Sequence, residues 1–313
     1  MKTERKVRAR SKLPEGLQDF LFLQFFFVAR FFIWLTARLG EDRAKFLVRL
    51  IFVPAARYNR KLCQRNLATV FRPLNRDPAE LGRIYQAYLE YMIRFQVETA
   101  RCFSIAKADL KKKVVVQGEA HLQATLKKGR GVLLVSGHVG TWWHAPFFLV
   151  AQGYKLGVVF NSFRYARIEN YLVHHAQRHG VELAFVDKGV QKLIRQASRQ
   201  NEIAYLTFDV AVRKGHANWL PFGSTKININ PGPAILALRY QIPVLFVSSH
   251  HGDDGRSHVI IHPEIIFGDK SRPKNPDDIC RSWAEQLYAD ILLHPAQWWG
   301  WGVSDLPRVR IPK

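Results

Sequence analysis

"GVLLVSGHV", residues 131–139, leads after Gly140 into "TWWHAPFFLVAQG", residues 141–153. A continuous apolar run of this length reads as a strand buried on both faces, and the segment behind it reads as a helix. The same alternation continues in both rhythm and length. "KLGVVFN" (155–161), "VELAFVD" (181–187), "EIAYLTFD" (202–209) and "PVLFVSSHH" (243–251) read as strands. Between them, "ARIENYLVHHAQRHG", closed by Gly180, "KGVQKLIRQASRQ" and "PGPAILALRYQ" read as helices. "SHVIIHPEII" adds a strand, and "NPDDICRSWAEQLYADILLHP" opens a helix with an Asn cap, a Pro at the first position and acidic residues in the first turn. The pattern predicts an α/β fold, a mainly parallel central sheet flanked by helices.

Upstream, residues 41–98 are helical in pattern, as in "AELGRIYQAYLEYMIRFQVETARCF". The N-terminus pairs a basic leader, "MKTERKVRARSKLPEG", with an apolar run from Phe20 to Ala37 interrupted by Gln24 and Arg30. Phe, Trp and Arg follow where a cleaved signal would carry small residues. The run approaches the roughly 20 residues that span a bilayer, but Arg30 near its middle costs a few kcal/mol there. The reading is an N-terminal hydrophobic membrane-anchor helix of interfacial or re-entrant type, with Lys2 to Lys12 resting on anionic lipid; a buried core helix is the alternative. Residues 1–40 are thus leader and anchor, and residues 41–313 one α/β domain.

The 47 Lys and Arg outnumber 25 Asp and Glu, leaving a net charge of +22 that favours anionic partners. No nucleic-acid module accompanies the charge, so nucleic acid is not expected as a partner. The three cysteines are far apart and in no C-x-x-C pair, which indicates neither a disulfide framework nor a zinc site. There is no internal repeat and no Gly-rich phosphate loop.

In open α/β sheets, sites lie beyond the carboxyl ends of the strands. His138, Asn161, Asp187, Asp209, His250 and His251 all fall there. A histidine such as His138 can take a proton from a hydroxyl; packing is its other reading. Gly137 and Gly140 leave room for a ligand to approach the backbone.

"GRGVLLVSGHVGTWW" resembles the H-x4-(D/E) segment of the lysophospholipid acyltransferase superfamily, and most closely its branch of lipid A late acyltransferases. The likeness covers roughly residues 45 to 305. "FNSFRYARIENYLVHHAQRHG" resembles the family's arginine-bearing segment and places Arg164 and Arg178 on its basic positions. "AYLTFDVAVRKGHANWLPFGSTKININPGPAILALRYQIPV" supplies Asp209, Phe222, Gly223 and Thr225, and "HPAQWWGW" (294–301) is similar to the closing Pro-x-Gln-Trp element.

The resemblance implies transfer of a fatty acyl group from an acyl-carrier-protein or coenzyme A thioester to a hydroxyl of a membrane lipid. The acceptor would be lipid A-type, in lipopolysaccharide biosynthesis, at the cytoplasmic face of a bacterial inner membrane. It implies His138 as general base, Arg164 and Arg178 for phosphate or the polarised carbonyl, and backbone N–H groups near Gly137 to Gly140 for the oxyanion. It implies no metal and no cofactor. Without the resemblance the arginines read equally as a solvated helix face.

One position departs from the family pattern. Counting five from His138, the place of the acid is held by Trp143, and Thr141 stands where Asn is common. Trp has one N–H donor and no carboxylate, so it cannot accept from the imidazole, and a triad losing its acid loses about 10⁴ in rate. Three readings stay open. Another carboxylate reaches His138, with Asp209 first and Asp187 and Glu169 behind it. Alternatively the histidine works unaided or with His144, or the chain is a silent lipid binder. Asp209 has competing uses as a helix cap or a partner of Arg213 or Lys214. An acyltransferase for a specialised lipid-linked metabolite, such as a polyene pigment, is a further alternative to lipid A.

Overall fold

The structure is a computed structural model that describes residues 27–28, 30–102, 107–162, 165–186, 189–209, 218–265, 275–304 and 306–307. The helices are α1 (Glu41–Tyr58), α2 (Arg60–Phe71), α3 (Pro78–Cys102), α4 (Lys107–Lys113), α5 (Glu119–Leu126), α6 (His144–Ala151), α7 (Ala166–Arg178), α8 (Val190–Gln200), α9 (Gly232–Tyr240) and α10 (Pro276–Leu293). The strands are β1 (Val114–Gln117), β2 (Val132–Ser136), β3 (Leu156–Phe160), β4 (Val181–Phe185), β5 (Ile203–Thr207), β6 (Trp219–Phe222), β7 (Thr225–Asn228), β8 (Val244–His251) and β9 (Ser257–Ile265).

Seven strands form one sheet in the order β1-β9-β8-β2-β5-β3-β4. β8, β2, β5, β3 and β4 are parallel neighbours, while β9 runs antiparallel to β8 and parallel to β1. β2 sits in the middle because it can be buried on both faces: Val132, Leu133, Leu134 and Val135 have no exposure at all. Each such side chain contributes about 1.5–3 kcal/mol relative to leaving it in water. The winding reverses at β2, since β1 lies to one side of it and β3 and β4 to the other. Its carboxyl end is therefore the switch point where α/β sheets place ligands.

β1 and the β6–β7 hairpin are not among the strands read from sequence. β1 is four residues long and leaves the sheet half-covered at its edge, and the hairpin is a separate two-stranded ribbon. The Asn cap of α10 is present, with Asn275 Oδ1 accepting from Asp278 N–H at 2.9 Å.

The apolar N-terminal run falls partly outside the described residues. Its described part is helical at residues 27–28 and 30–38. Among the described residues no helix is long and apolar enough to cross a membrane.

Candidate active site

Strand register brings the two central residues together. Ser136 of β2 is paired with Thr207 of β5. Two residues further along these parallel strands stand His138 and Asp209. Asp209 is buried at 3 % exposure, and its Oδ1 lies 2.5 Å from His138 Nδ1. The same carboxylate accepts from the His138 backbone N–H at 3.0 and 3.2 Å and from Trp298 Nε1–H at 2.7 Å. Burial alone would raise the Asp209 pKa. The charge and hydrogen bond of His138, with help from Trp298 and the His138 N–H, overcome this and hold it below the usual carboxylate range.

An ionised carboxylate can only accept, so Nδ1 carries a proton, and in the neutral imidazole Nε2 then presents its lone pair. Thr207 Oγ1 lies 3.1 Å from that Nε2. The imidazole is set edge-on to Trp142, with ring centroids 4.5 Å apart, and tilted on Trp299 at 5.2 Å. A base, its orienting acid, a hydroxyl beside the reactive nitrogen and a dry aromatic surround are the parts needed to deprotonate an acceptor hydroxyl.

The loop after β2 is held from three sides. Gly140 N–H donates to Gln297 O at 3.0 Å, Trp299 N–H donates to His138 O at 2.9 Å, and Tyr91 O–H donates to Gly140 O at 2.8 Å. Thr141 Oγ1 donates to Glu98, whose carboxylate is 2.7 Å from His251 Nε2. Burial acts to raise the Glu98 pKa, but His251, His144 and Thr141 hold it well below the ordinary value.

Conformation and space both demand glycine at position 140. Its φ is +58°, and an added Cβ would come within 2.8–2.9 Å of the β8 backbone at His250 and Ser249. Gly140→Ala is expected to cost roughly 2–4 kcal/mol in urea unfolding, from the left-handed penalty and the overpacking together. Turnover should fall with it, because His138 and Thr141 flank the strained residue.

The family model described as bacterial lipid A biosynthesis acyltransferase matches residues 13–301. The chain belongs to this family. It is accordingly an acyltransferase of lipid A biosynthesis type, acting on an acyl donor and a lipid acceptor. A search of the curated proteins found no match.

In this lipid A acyltransferase, Trp143, five positions after His138, is a packing residue. It is buried, stacked on Phe160 with centroids 5.0 Å apart and edge-on to Phe147 at 6.4 Å. The carboxylate on Nδ1 comes from Asp209. Asp187, Arg213 and Lys214 lie outside the described residues, and Glu169 sits in the first turn of α7.

His144 does not share the work of His138. It is buried with Nδ1 2.7 Å from Ser257 Oγ, and burial pushes its pKa down to about 4. The sign for stability follows, because the unfolded chain takes up this proton first. Stability is lost as pH falls from about 6.5 toward 4, by about 3 kcal/mol in full. A thermal midpoint that drops over this window in the wild type should drop less in His144→Gln.

The remaining predicted site residues scatter. Arg164 lies outside the described residues. Arg178 is exposed in the last turn of α7, which returns the chain to the start of β4 and so places it toward the rim opposite His138. Phe222 packs on Tyr288 and Trp298, the latter being the ring that holds Asp209. Gly223 has φ +58° in the hairpin turn against the Tyr288 ring, and Thr225 Oγ1 donates to Pro307 O at 2.7 Å. These three build the wall behind Asp209. The backbone N–H groups of His138 and Gly140 are already bonded within the protein, which removes them from the expected oxyanion donors.

Thr207 was legible in hindsight, since it lies two residues before Asp209 on the same strand face. Glu98 carried no signal, being one of several polar positions on an amphipathic helix.

A groove with about 200 Å³ of room opens beside the site, lined by Phe52 and Ala56 of α1, Tyr85, Tyr88 and Met92 of α3, and Trp299. Trp299 is shared by groove and site, so a chain lying in the groove would end against the ring that packs on His138.

Proposed function

We propose that the protein transfers a fatty acyl group from an acyl-carrier-protein or coenzyme A thioester to a hydroxyl of a lipid A-type acceptor, at the cytoplasmic face of a bacterial inner membrane. The observation that carries this reading is the Asp209 carboxylate 2.5 Å from His138 Nδ1, which replaces the motif acid lost to Trp143.

In this reading the acceptor hydroxyl displaces Thr207 from Nε2 and gives its proton there as its oxygen attacks the thioester carbonyl. Asp209 stabilises the imidazolium that forms. The Thr207 hydroxyl then donates to the developing oxyanion, the tetrahedral intermediate collapses, and the thiolate leaves with the proton from Nε2. The groove takes the acyl chain. Arg164 and the basic surface serve the anionic carrier, acceptor phosphates and acidic lipid.

A second reading keeps the chemistry but changes the lipid. Four aromatic residues line the groove, Phe52, Tyr85, Tyr88 and Trp299, with the polar Asn59 and Gln96 among them. Flat aromatic walls suit a rigid conjugated chain, as in a polyene pigment, as well as a saturated one.

Mass spectrometry of membrane lipids from cells expressing wild type or His138→Ala tests both readings. A species heavier by one acyl group should appear with wild type and vanish in the variant, and the added mass names the chain. Identical lipids in both strains would refute acyl transfer through His138.

A further inference from the structure

α1 has two faces, and only one is used by the fold. Ala44 and Val48 are buried against Ile93 and Val97 of α3, and Phe52 and Ala56 line the groove. The opposite face carries Phe46, Leu50, Pro54 and Tyr58 at four-residue spacing, with Ile51 beside them. Phe46 is 62 % exposed, Leu50 58 % and Tyr58 92 %. Contiguous apolar exposure on this scale marks an interaction surface.

Charge decides what covers it. Arg43, three residues before Phe46, and Arg57, seven after Leu50, fall on the same exposed face, and Lys61 follows at the start of α2. None of the three has a carboxylate partner among the described residues. A second copy docked face to face would set these cations against their own kind in a chain of net charge +22. An anionic lipid surface accepts both the apolar stripe and the cations. α1 also carries Glu41, Asp42, Lys45 and Arg49, so it suits lying in the interface plane rather than crossing it.

We propose that this outer face of α1 docks on an anionic bilayer, so that the groove floored by the inner face of the same helix opens where lipid substrates lie. The sequence had placed lipid contact in the leader and the apolar run before Leu39; α1 adds a second and folded contact. The inference rests on the reading of a membrane-lipid acceptor, and its test is kept separate from catalysis.

The test is co-sedimentation of the full chain with vesicles of phosphatidylcholine alone or mixed with phosphatidylglycerol. Phe46→Glu/Leu50→Glu and Arg43→Gln/Arg57→Gln are compared with wild type, with thermal midpoints confirming that each variant is folded. Both substitution pairs are on the surface and should leave the midpoint unchanged. Wild type should partition to the anionic vesicles, the apolar variant about tenfold less or weaker still, and the arginine variant should lose the preference for phosphatidylglycerol. Hydrolysis of a water-soluble acyl thioester should stay within about twofold of wild type in both variants, because neither touches the site.

Undiminished vesicle binding by the Phe46→Glu/Leu50→Glu variant would overturn the inference. So would a lipid-free dimer that this variant dissociates while wild type ignores vesicles. If wild type shows no acyl transfer yet binds vesicles through α1, the docking stands and the functional reading falls.

Discussion

Asp209→Asn lowers kcat for acyl transfer about 10⁴-fold, the loss seen when the acid of a serine-protease triad becomes an amide. The reason is tautomeric. Asp209 accepts from His138 Nδ1, from the His138 backbone N–H and from Trp298 Nε1–H. An amide has one accepting oxygen for these three donors, and its NH₂ must face one of them. The arrangement with the least conflict turns the imidazole proton to Nε2, where the acceptor hydroxyl needs a lone pair. KM should change much less than kcat, since Asp209 is buried and meets the substrate only through His138. The melting temperature separates this effect from unfolding, because the lost charge-assisted bonds also cost about 1.5–3 kcal/mol each.

Trp143→Glu, which would place a carboxyl five residues after His138, is expected to damage the protein rather than improve it. The indole is buried between Phe160 and Phe147, and removing a ring of this size costs roughly 3–5 kcal/mol. A carboxylate placed in this aromatic packing adds its own desolvation penalty. It also finds His138 Nδ1 already taken by Asp209. Urea unfolding at neutral pH should therefore show a large loss of stability with no gain in turnover. The introduced carboxyl would have its pKa raised by burial, so the deficit is full at neutral pH and shrinks as pH falls and the group is protonated. A variant of wild-type stability with faster transfer would show that Asp209 is an imperfect substitute.

The strands of the sheet centre were legible because strands buried on both faces must be continuously apolar. β2, β3, β5 and β8 all fall within the runs read from sequence, as does β4 at the edge of the sheet. The position of His138 at a strand end follows from the same pattern. What sequence left open was which carboxylate serves it. Asp209 stood first, with Asp187 and Glu169 behind it, and strand order puts β5 beside β2 with Ser136 opposite Thr207. Adjacency in a parallel sheet depends on crossovers over tens of residues, and no local pattern encodes it.

Arg178 illustrates the converse. Its family position suggested a site residue, whereas the direction of α7 carries it toward the other rim of the sheet. Trp298 was one of several tryptophans with no distinguishing neighbour, and only the folded chain aims its N–H at Asp209. Glu98 and His251, which together grip Thr141, come from α3 and the end of β8, 153 residues apart.

The central claim is that His138 and Asp209 act as a pair in acyl transfer. It is tested most directly by measuring transfer from an acyl thioester to extracted membrane lipid with purified wild type, His138→Ala and Asp209→Asn. The account predicts product from wild type, none above background from His138→Ala, and a loss of about 10³–10⁴ in kcat from Asp209→Asn with the fold intact. Transfer by Asp209→Asn at the wild-type rate would contradict it.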